Sequence, residues 1–294
     1  MKTSRVTSVV ALTLASLSAA CAVRDADSRS AAFASYPLLR IEAHDHAYRA
    51  PARVETDAAG LVRVRLVNHG AVWHEALIVR LASASHGARD YVDSVRAGAA
   101  FPGFATDVGG PGLTVPRDSG EIVLALPPGY YALACWFAGH VRQGQVHDFE
   151  VVAPVEREID EGVAAAGARA GPTPDLTLTM YDYNFELSAP LEAGPQVIQV
   201  ENRGPQAHEV DFFRLLPGRS ARDYLHWVRS KRVGPAPAVP VGGTLDFAPG
   251  GRVWLAVSFE VGRYFVVCHV PDAGSDRPHY EHGMIREFLV AASP

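Results

Sequence analysis

The sequence predicts an all-β protein that contains two tandem β-sandwich domains, each with one short helix. A set of motifs occurs twice along the 294 residues with a nearly constant offset. Short segments in which apolar and polar residues alternate are separated by turns rich in Gly and Pro, which is typical of half-buried strands. Each copy of the repeat contains a single segment with helical spacing. Many short strands and few helices favour a sandwich of two sheets.

The repeat keeps its register over most of the chain. The matched segments are 68–75 with 202–209, 88–91 with 221–224, 108–110 with 241–243 and 129–135 with 262–268. Their offset is 133 or 134 residues up to the matched Cys and 139 after it, because six residues are inserted between Cys268 and His279. A register this steady indicates duplication of a whole domain.

The predicted elements recur at matching places in the two copies. We expect helices at 88–96 and from Ser220 onward, the second capped by the Ser220 hydroxyl with Asp223 at the third helical position. The predicted strands are 61–67, 75–81, 121–126, 131–136, 147–152, 197–201, 210–215, 253–258, 264–268 and 285–290.

These elements fall into two domains, predicted at 36–153 and 174–294. A flexible tether is predicted at 22–35. A linker at 154–173 is rich in Ala, Gly, Pro and charged residues and has room for one helical turn at 159–166.

The N-terminus predicts an export signal at 1–20. Lys2 and Arg5 form a basic start, residues 6–17 are apolar or small, and small residues precede Cys21. The apolar run is too short to span a membrane. We expect an exported protein of the periplasm or cell envelope, with Cys21 as a lipidated first residue that anchors it to a membrane. Ordinary cleavage nearby, which would release a soluble protein, is the alternative.

Composition and cysteine count limit the function classes. The chain is 48% hydrophobic and 20% charged, with a net charge of −5 and a pI near 6.2, which argues against nucleic-acid binding. Of the three Cys, Cys21 belongs to the signal. Cys135 and Cys268 occupy equivalent positions in separate domains, so we do not expect them to form a disulfide.

One segment of the second copy combines sulfur and imidazole groups. Cys268 ends a predicted strand, His279 follows a polar loop, and Met284 precedes the last strand. Soft sulfur ligands with imidazole suit copper, and two His with one Cys and a distant axial Met form a type 1 copper site. His208 is the candidate for the second His. The equivalent residues of the first copy are His74, Cys135, His140 and Gln145.

These residues carry a family resemblance. The pattern Asn-x-Gly-x3-His, then Gly-x-Tyr-x3-Cys, then His-x4-Met before a hydrophobic strand resembles the cupredoxins, the blue or type 1 copper proteins. The resemblance implies a Greek-key β-sandwich in each copy, with copper held near one end by the two sets of four residues. Gln145 in the axial place is similar to the stellacyanin branch of that family.

Two features depart from the family pattern. Glu75 and Glu209 follow the first His of each set, where plastocyanin-like proteins commonly have Asn. The loop between Cys268 and His279 has ten residues, which leaves His282 as an alternative ligand.

The other His residues are expected to be structural or solvent-facing. His44 and His46 are interpreted as a surface feature of a strand, because their equivalents in the second copy are both Tyr. His269 directly follows Cys268, so strand alternation sends it to the opposite face. His69, His147 and His226 are placed in the same class.

The resemblance leads to a hypothesis of electron transfer through type 1 copper, with an unidentified redox protein as partner. The second copy is favoured as the copper site, because Gln145 has the alternative role of an ordinary surface amide. We expect the protein not to be an enzyme, since Val267 stands before Cys268 where oxidases and nitrite reductases of this family have His. A copper-free binding module and a multicopper oxidase or nitrite reductase are the alternatives, and the oligomeric state stays open.

Overall fold

The computed structural model describes residues 31–99, 102–154 and 171–292. The predicted signal, Cys21 and most of the linker lie outside these residues, so the lipid anchor, the linker helix and the domain boundaries stay predictions. Within the described ranges, no helix is both long and apolar enough to cross a bilayer.

Among its described residues, the first copy has nine strands and one α-helix. They are β1 (Leu38–His44), β2 (Ala47–Arg49), β3 (Arg53–Glu55), β4 (Leu61–Asn68), β5 (Leu77–Leu81), α1 (Ala88–Arg96), β6 (Ala105–Asp107), β7 (Ser119–Ala125), β8 (Gly129–Ala134) and β9 (Val146–Val152). A 3-10 segment, Phe137–Gln143, joins β8 to β9.

The second copy repeats this order with eight strands. They are β10 (Leu176–Tyr181), β11 (Asn184–Leu187), β12 (Gly194–Asn202), β13 (His208–Leu215), α2 (Ala221–Arg229), β14 (Ala238–Phe247), β15 (Arg252–Phe259), β16 (Gly262–Val267) and β17 (Ile285–Val290). A short 3-10 segment, His279–His282, precedes β17. The Ser220 cap of α2 is confirmed, since its hydroxyl accepts from the Asp223 amide at 3.3 Å.

The strands form three sheets, and the predicted pair of β-sandwiches is confirmed. One sheet has the order β3-β9-β8-β5-β6, a second has the order β14-β13-β16-β17, and an eight-stranded sheet contains the remaining strands of both copies. Alternate apolar residues face inward: Ile41 and Val64 from the large sheet belong to one buried cluster with Ile78 and Leu133 from the smaller sheet.

The large sheet runs without a break from one copy into the other, because β7 pairs with β15 in antiparallel register. Ile122 lies opposite Leu255, and these are equivalent residues of the repeat. An antiparallel pair of equivalent strands that meets at equivalent residues relates the two copies by a local two-fold axis. The contacts between the two copies are therefore expected to occur in symmetry-related pairs.

A second contact obeys the same symmetry. Pro111 forms an isolated bridge with its own equivalent, Thr244. The Gly112 amide donates to the Gly243 carbonyl at 3.0 Å, and the symmetry-related bond runs from the Leu245 amide to the Gly110 carbonyl at 2.8 Å. The two segments therefore exchange backbone hydrogen bonds across the axis.

The structure corrects several predicted boundaries. The strand predicted to begin at 75 begins at Leu77, and the strands predicted to include Trp136 and Cys268 end at Ala134 and Val267. Both Cys residues thus lie just past a strand end. Strands β2, β3, β6, β10, β11 and β14, most of which are short, were not predicted, and β1 was expected only as a strand around His44 and His46. β14 is long but contains Pro240 and two Gly, and its pairing with β13 shows register shifts.

Candidate metal centres

Backbone hydrogen bonds fold each Cys–His loop back onto the Cys. In the second copy the Cys268 amide donates to the Met284 carbonyl at 3.1 Å, and the Met284 amide donates to the His279 carbonyl at 3.0 Å. In the first copy the Cys135 amide donates to the Gln145 carbonyl at 3.2 Å. The six-residue insertion therefore leaves this end of the loop unchanged.

The second-copy cluster brings three donor atoms together in the protein interior. Cys268 Sγ lies 3.4 Å from His279 Nδ1 and 4.0 Å from His208 Nδ1, and the two Nδ1 atoms are 3.0 Å apart. All three side chains are fully buried. Ligands bound at about 2.0–2.3 Å around one ion are separated by roughly 3–4 Å, so these positions fit a single metal ion.

The first-copy cluster has nearly the same geometry. Cys135 Sγ lies 3.4 Å from His140 Nδ1 and 3.8 Å from His74 Nδ1. The two imidazole centroids are 4.9 Å apart, against 4.7 Å for His208 and His279 in the second copy. The structure thus assembles both predicted His–Cys–His sets.

An aspartate fixes the first His of each set. Asp182 Oδ1 lies 2.6 Å from His208 Nε2, and Asp45 Oδ1 lies 3.3 Å from His74 Nε2. With the Nε2 proton held by a carboxylate, the lone pair of Nδ1 faces the sulfur, which is the arrangement that metal-bound imidazoles require. This role of the aspartate was not predicted. The signal was that Asp is the one residue common to His44-Asp-His46 and its equivalent in the second copy.

The Asn-x-Gly motif explains how the first His is placed. Asn202 is buried, donates to the Gln206 and Phe247 carbonyls at 2.8 Å, and accepts from the Gly204 amide at 3.0 Å. A Cβ on Gly204 would lie 2.6 Å from His208 Nε2, which no side chain tolerates. Gly is needed there because the backbone passes against the imidazole. Asn68 and Gly70 form the same arrangement in the first copy.

The predicted fourth residues are also buried. Gln145 is not a surface amide: it is fully buried, its Nε2 donates to the His44 carbonyl at 3.1 Å, and its Oε1 has no hydrogen-bond partner among the described residues. Burial lowers the pKa of both His74 and His140, and the nearby Gln145 amide opposes this shift in each. Met284 is fully buried in the core cluster that contains Cys268.

Burial keeps the metal-free clusters neutral. It raises the pKa of the Cys135 and Cys268 thiols, with Glu75 and Glu209 adding repulsion. Burial also lowers the pKa of the imidazoles, including His208. A bound cation would reverse the preference of the thiols and displace their protons. Both Cys135 and Cys268 are free thiols.

The structure places His279, and not His282, beside the sulfur. The His282 ring is partly exposed, stacks on Tyr183 with centroids 4.7 Å apart, and contacts the Ser275 hydroxyl at 3.0 Å. The long loop is held by Asp272, which accepts from Tyr183 at 2.6 Å.

The two Glu residues that depart from the family pattern connect the ligand segments. The Trp136 amide donates to Glu75 at 2.9 Å, and the His269 amide donates to Glu209 at 2.6 Å. Each Glu therefore ties the residue after the first His to the residue after the Cys.

One expectation for the remaining His residues needs correction, namely the strand position of His46. His269 is not part of the Cys–His cluster and has a structural role, which was one of its two predicted alternatives: its Nδ1 lies 2.9 Å from Glu209 and its Nε2 lies 3.0 Å from the Tyr224 hydroxyl. His46 lies in a turn rather than on a strand, and its ring meets the edge of the His140 ring at 5.6 Å.

Comparison with solved structures gives the following similarities. Reduced auracyanin from the photosynthetic bacterium Roseiflexus castenholzii is 22% identical, with 39% of this chain and 96% of that chain covered and a TM-score of 0.27. A multicopper oxidase is 16% identical, with 86% and 88% covered and a TM-score of 0.23. A copper-containing nitrite reductase from Thermus scotoductus is 14% identical, with 87% and 61% covered and a TM-score of 0.22. No protein-family model matches the chain, and no curated protein is similar to it in sequence.

The predicted fold class is confirmed by the strands and sheets of the structure itself. The solved structures to which the chain is similar include blue copper proteins, as the family resemblance predicted. One expectation is wrong: we expected a protein that is not an enzyme, but the solved structures that match 86–87% of this chain are multicopper oxidases and a nitrite reductase, which are enzymes. The His–Cys–His clusters support copper binding.

The packing of Gly204 against His208 yields a test of the second centre. We expect Gly204→Ala to displace the imidazole and to weaken copper binding at this centre at least about tenfold, which is typical when outer-shell contacts of a metal ligand are lost. Copper titration followed by visible absorption measures the change. Gly103→Ala is the matched control, because a Cβ there meets no atom within 4 Å. Equal copper binding by the two variants would contradict the assigned role of Gly204.

Proposed function

We propose that the chain binds one copper ion in each of its two His–Cys–His clusters, as type 1 sites, and transfers single electrons through them. The observation that carries the proposal is the convergence of one sulfur and two Nδ1 atoms within 4.0 Å in the second copy and its repetition in the first. Two imidazoles and a thiolate with a weak fourth ligand form the donor set that supports reversible one-electron chemistry of copper.

The donor sets suit copper better than a structural zinc ion. Structural zinc sites use four strong Cys or His ligands, whereas each cluster here has three. The fourth position is next to a thioether or a carboxamide, from Met284 or Gln145, and both are weak ligands. Three strong donors with one weak donor are typical of blue copper.

The surroundings of each cluster restrict rearrangement. Asp182 and Gly204 fix the His208 ring, backbone hydrogen bonds fix Cys268, and the cluster is closed to water because all its side chains are buried. A rigid, dry site keeps nearly the same geometry for both copper oxidation states, which favours fast electron transfer.

The second centre is proposed to bind copper more tightly than the first. Its aspartate lies closer to the imidazole, at 2.6 Å compared with 3.3 Å for His74. A stronger hydrogen bond raises the basicity of the ligating nitrogen. Export and a lipid anchor at Cys21 remain part of the proposal and rest on the N-terminal sequence alone.

Ligand identity can be tested by a matched pair of His variants. Copper-loaded wild-type protein is expected to show intense visible thiolate–copper absorption, with two copper ions per chain. His279→Asn should remove the contribution of the second centre, whereas His282→Asn should keep it, because the His282 ring contacts Ser275 rather than Cys268. Loss of the signal in the His282 variant with retention in the His279 variant would reverse the assignment. Copper-loaded wild-type protein without this absorption would favour a copper-free module.

The axial difference predicts an order of reduction potentials. A carboxamide oxygen stabilises Cu(II) more than a thioether does, so the Gln145 centre should have the lower potential and electrons should pass from the first domain to the second. Gln145→Met should raise the potential of the first centre and leave that of the second unchanged. Redox titration of Cys268→Ser and Cys135→Ser proteins, each with one centre, measures both values. A lower potential at the Met284 centre would overturn this order.

A further inference from the structure

A cavity of about 240 Å³ lies between the two copies, and its lining includes the residues that directly follow the first His and the Cys of each cluster. Both copies line it. Its lining includes five carboxylates, and the other charged or titratable groups apart from a tyrosine are Arg232 and His269. The carboxylates are Glu75, Asp107, Glu209, Asp211 and Asp246. A group of largely buried acidic side chains with so few basic partners favours a compensating cation.

Three of these side chains already converge. His269 Nδ1 lies 2.9 Å from Glu209 Oε1 and 3.6 Å from Asp211 Oδ2, and the three ligand atoms lie within 4.8 Å of one another. The other ring nitrogen of His269 is held by the Tyr224 hydroxyl at 3.0 Å. A His whose second nitrogen is fixed in this way is oriented as metal-bound His residues are.

Two buried oxygens at this cavity lack partners. Asp211 is 3% exposed and Asp246 is 9% exposed, and Oδ1 of the first and Oδ2 of the second have no hydrogen-bond partner among the described residues. Buried carboxylates are normally hydrogen-bonded, paired or bound to metal, so these oxygens point to a missing ligand.

The repeat provides an internal comparison for this cluster. The first-copy equivalents of Asp211, Asp246 and His269 are Leu77, Leu113 and Trp136. All three of these apolar residues line the same cavity. The domain therefore folds with apolar side chains at these positions, and the polar residues of the second copy are not a requirement of the fold.

We propose that Glu209, Asp211 and His269 bind a divalent cation in this interdomain cavity, at a third site separate from the two Cys–His clusters. Two carboxylates with one imidazole and no sulfur form a harder donor set than either cluster, which suits Mn²⁺ or Zn²⁺. The cavity has room for water ligands beside the three side chains. The site does not require copper in either cluster.

Manganese is the discriminating probe, because thiolates prefer softer ions and Mn²⁺ is the weakest binder of the first-row series at nitrogen and sulfur sites. The full-length chain is titrated with Mn²⁺, and free Mn²⁺ is measured by its EPR signal. We expect one saturable Mn²⁺ per chain. Asp211→Leu and His269→Trp, which introduce the residues of the first copy, should each weaken binding at least about tenfold. Glu192→Gln, at an exposed position outside the cavity, should not change it.

Asp211→Asn keeps the shape of the side chain and replaces Asp211→Leu as the test if the Leu variant does not fold. Thermal unfolding shows which variants are folded. Weakened Mn²⁺ binding in this variant supports the site. The absence of saturable Mn²⁺ binding by the wild-type chain would overturn the proposal. Unchanged binding in the folded Asp211 variants would also overturn it.

Discussion

Burial of a cysteine sulfur between two imidazole nitrogens is the constraint on which the rest of this structure depends. Each thiol lies at the end of a central strand and within 4.0 Å of two Nδ1 atoms, in a space closed to water. Neutral thiols and imidazoles can occupy that space, and three donor atoms converge in it. A single cation would satisfy all three donors, and Asp45 and Asp182 already hold the first imidazole of each cluster in position.

Comparison of the two copies distinguishes residues that the domain fold requires from residues that give each copy its own chemistry. The shared residues fix geometry: the Asn and Gly before the first His, the Asp behind it, the Glu after it and the Cys. The residues that differ change chemistry. Gln145 and Met284 are the buried residues at the proposed fourth position of each cluster. After the Cys, the first copy places the apolar Trp136 at the interdomain cavity and the second copy places the polar His269 there. The local two-fold axis, which passes near Ile122 and Leu255, places this cavity where the two copies meet.

The positions of the paired His and Cys residues were predictable, because the spacing of a motif along the chain depends on the backbone geometry that it must fit. The repeat register paired His74 with His208 and Cys135 with Cys268, and the structure places all four as the register requires. Other features depend on contacts between distant segments and leave no local pattern. Asp182 contacts the imidazole of His208, which is 26 residues away in the sequence. Strand β14 was not predicted because Pro240 and the two glycines within it are typical of a turn. The cavity draws its carboxylates from both copies, so only the folded chain reveals them.

X-ray absorption at the copper edge of the copper-loaded chain tests the central claim most directly. The account predicts one sulfur and two imidazole nitrogens in the coordination sphere of copper, with two copper ions per chain and the sulfur contribution halved in Cys135→Ser protein measured at the same copper-to-protein ratio. A spectrum with only nitrogen and oxygen scatterers, unchanged by replacement of Cys135 or Cys268, would contradict it.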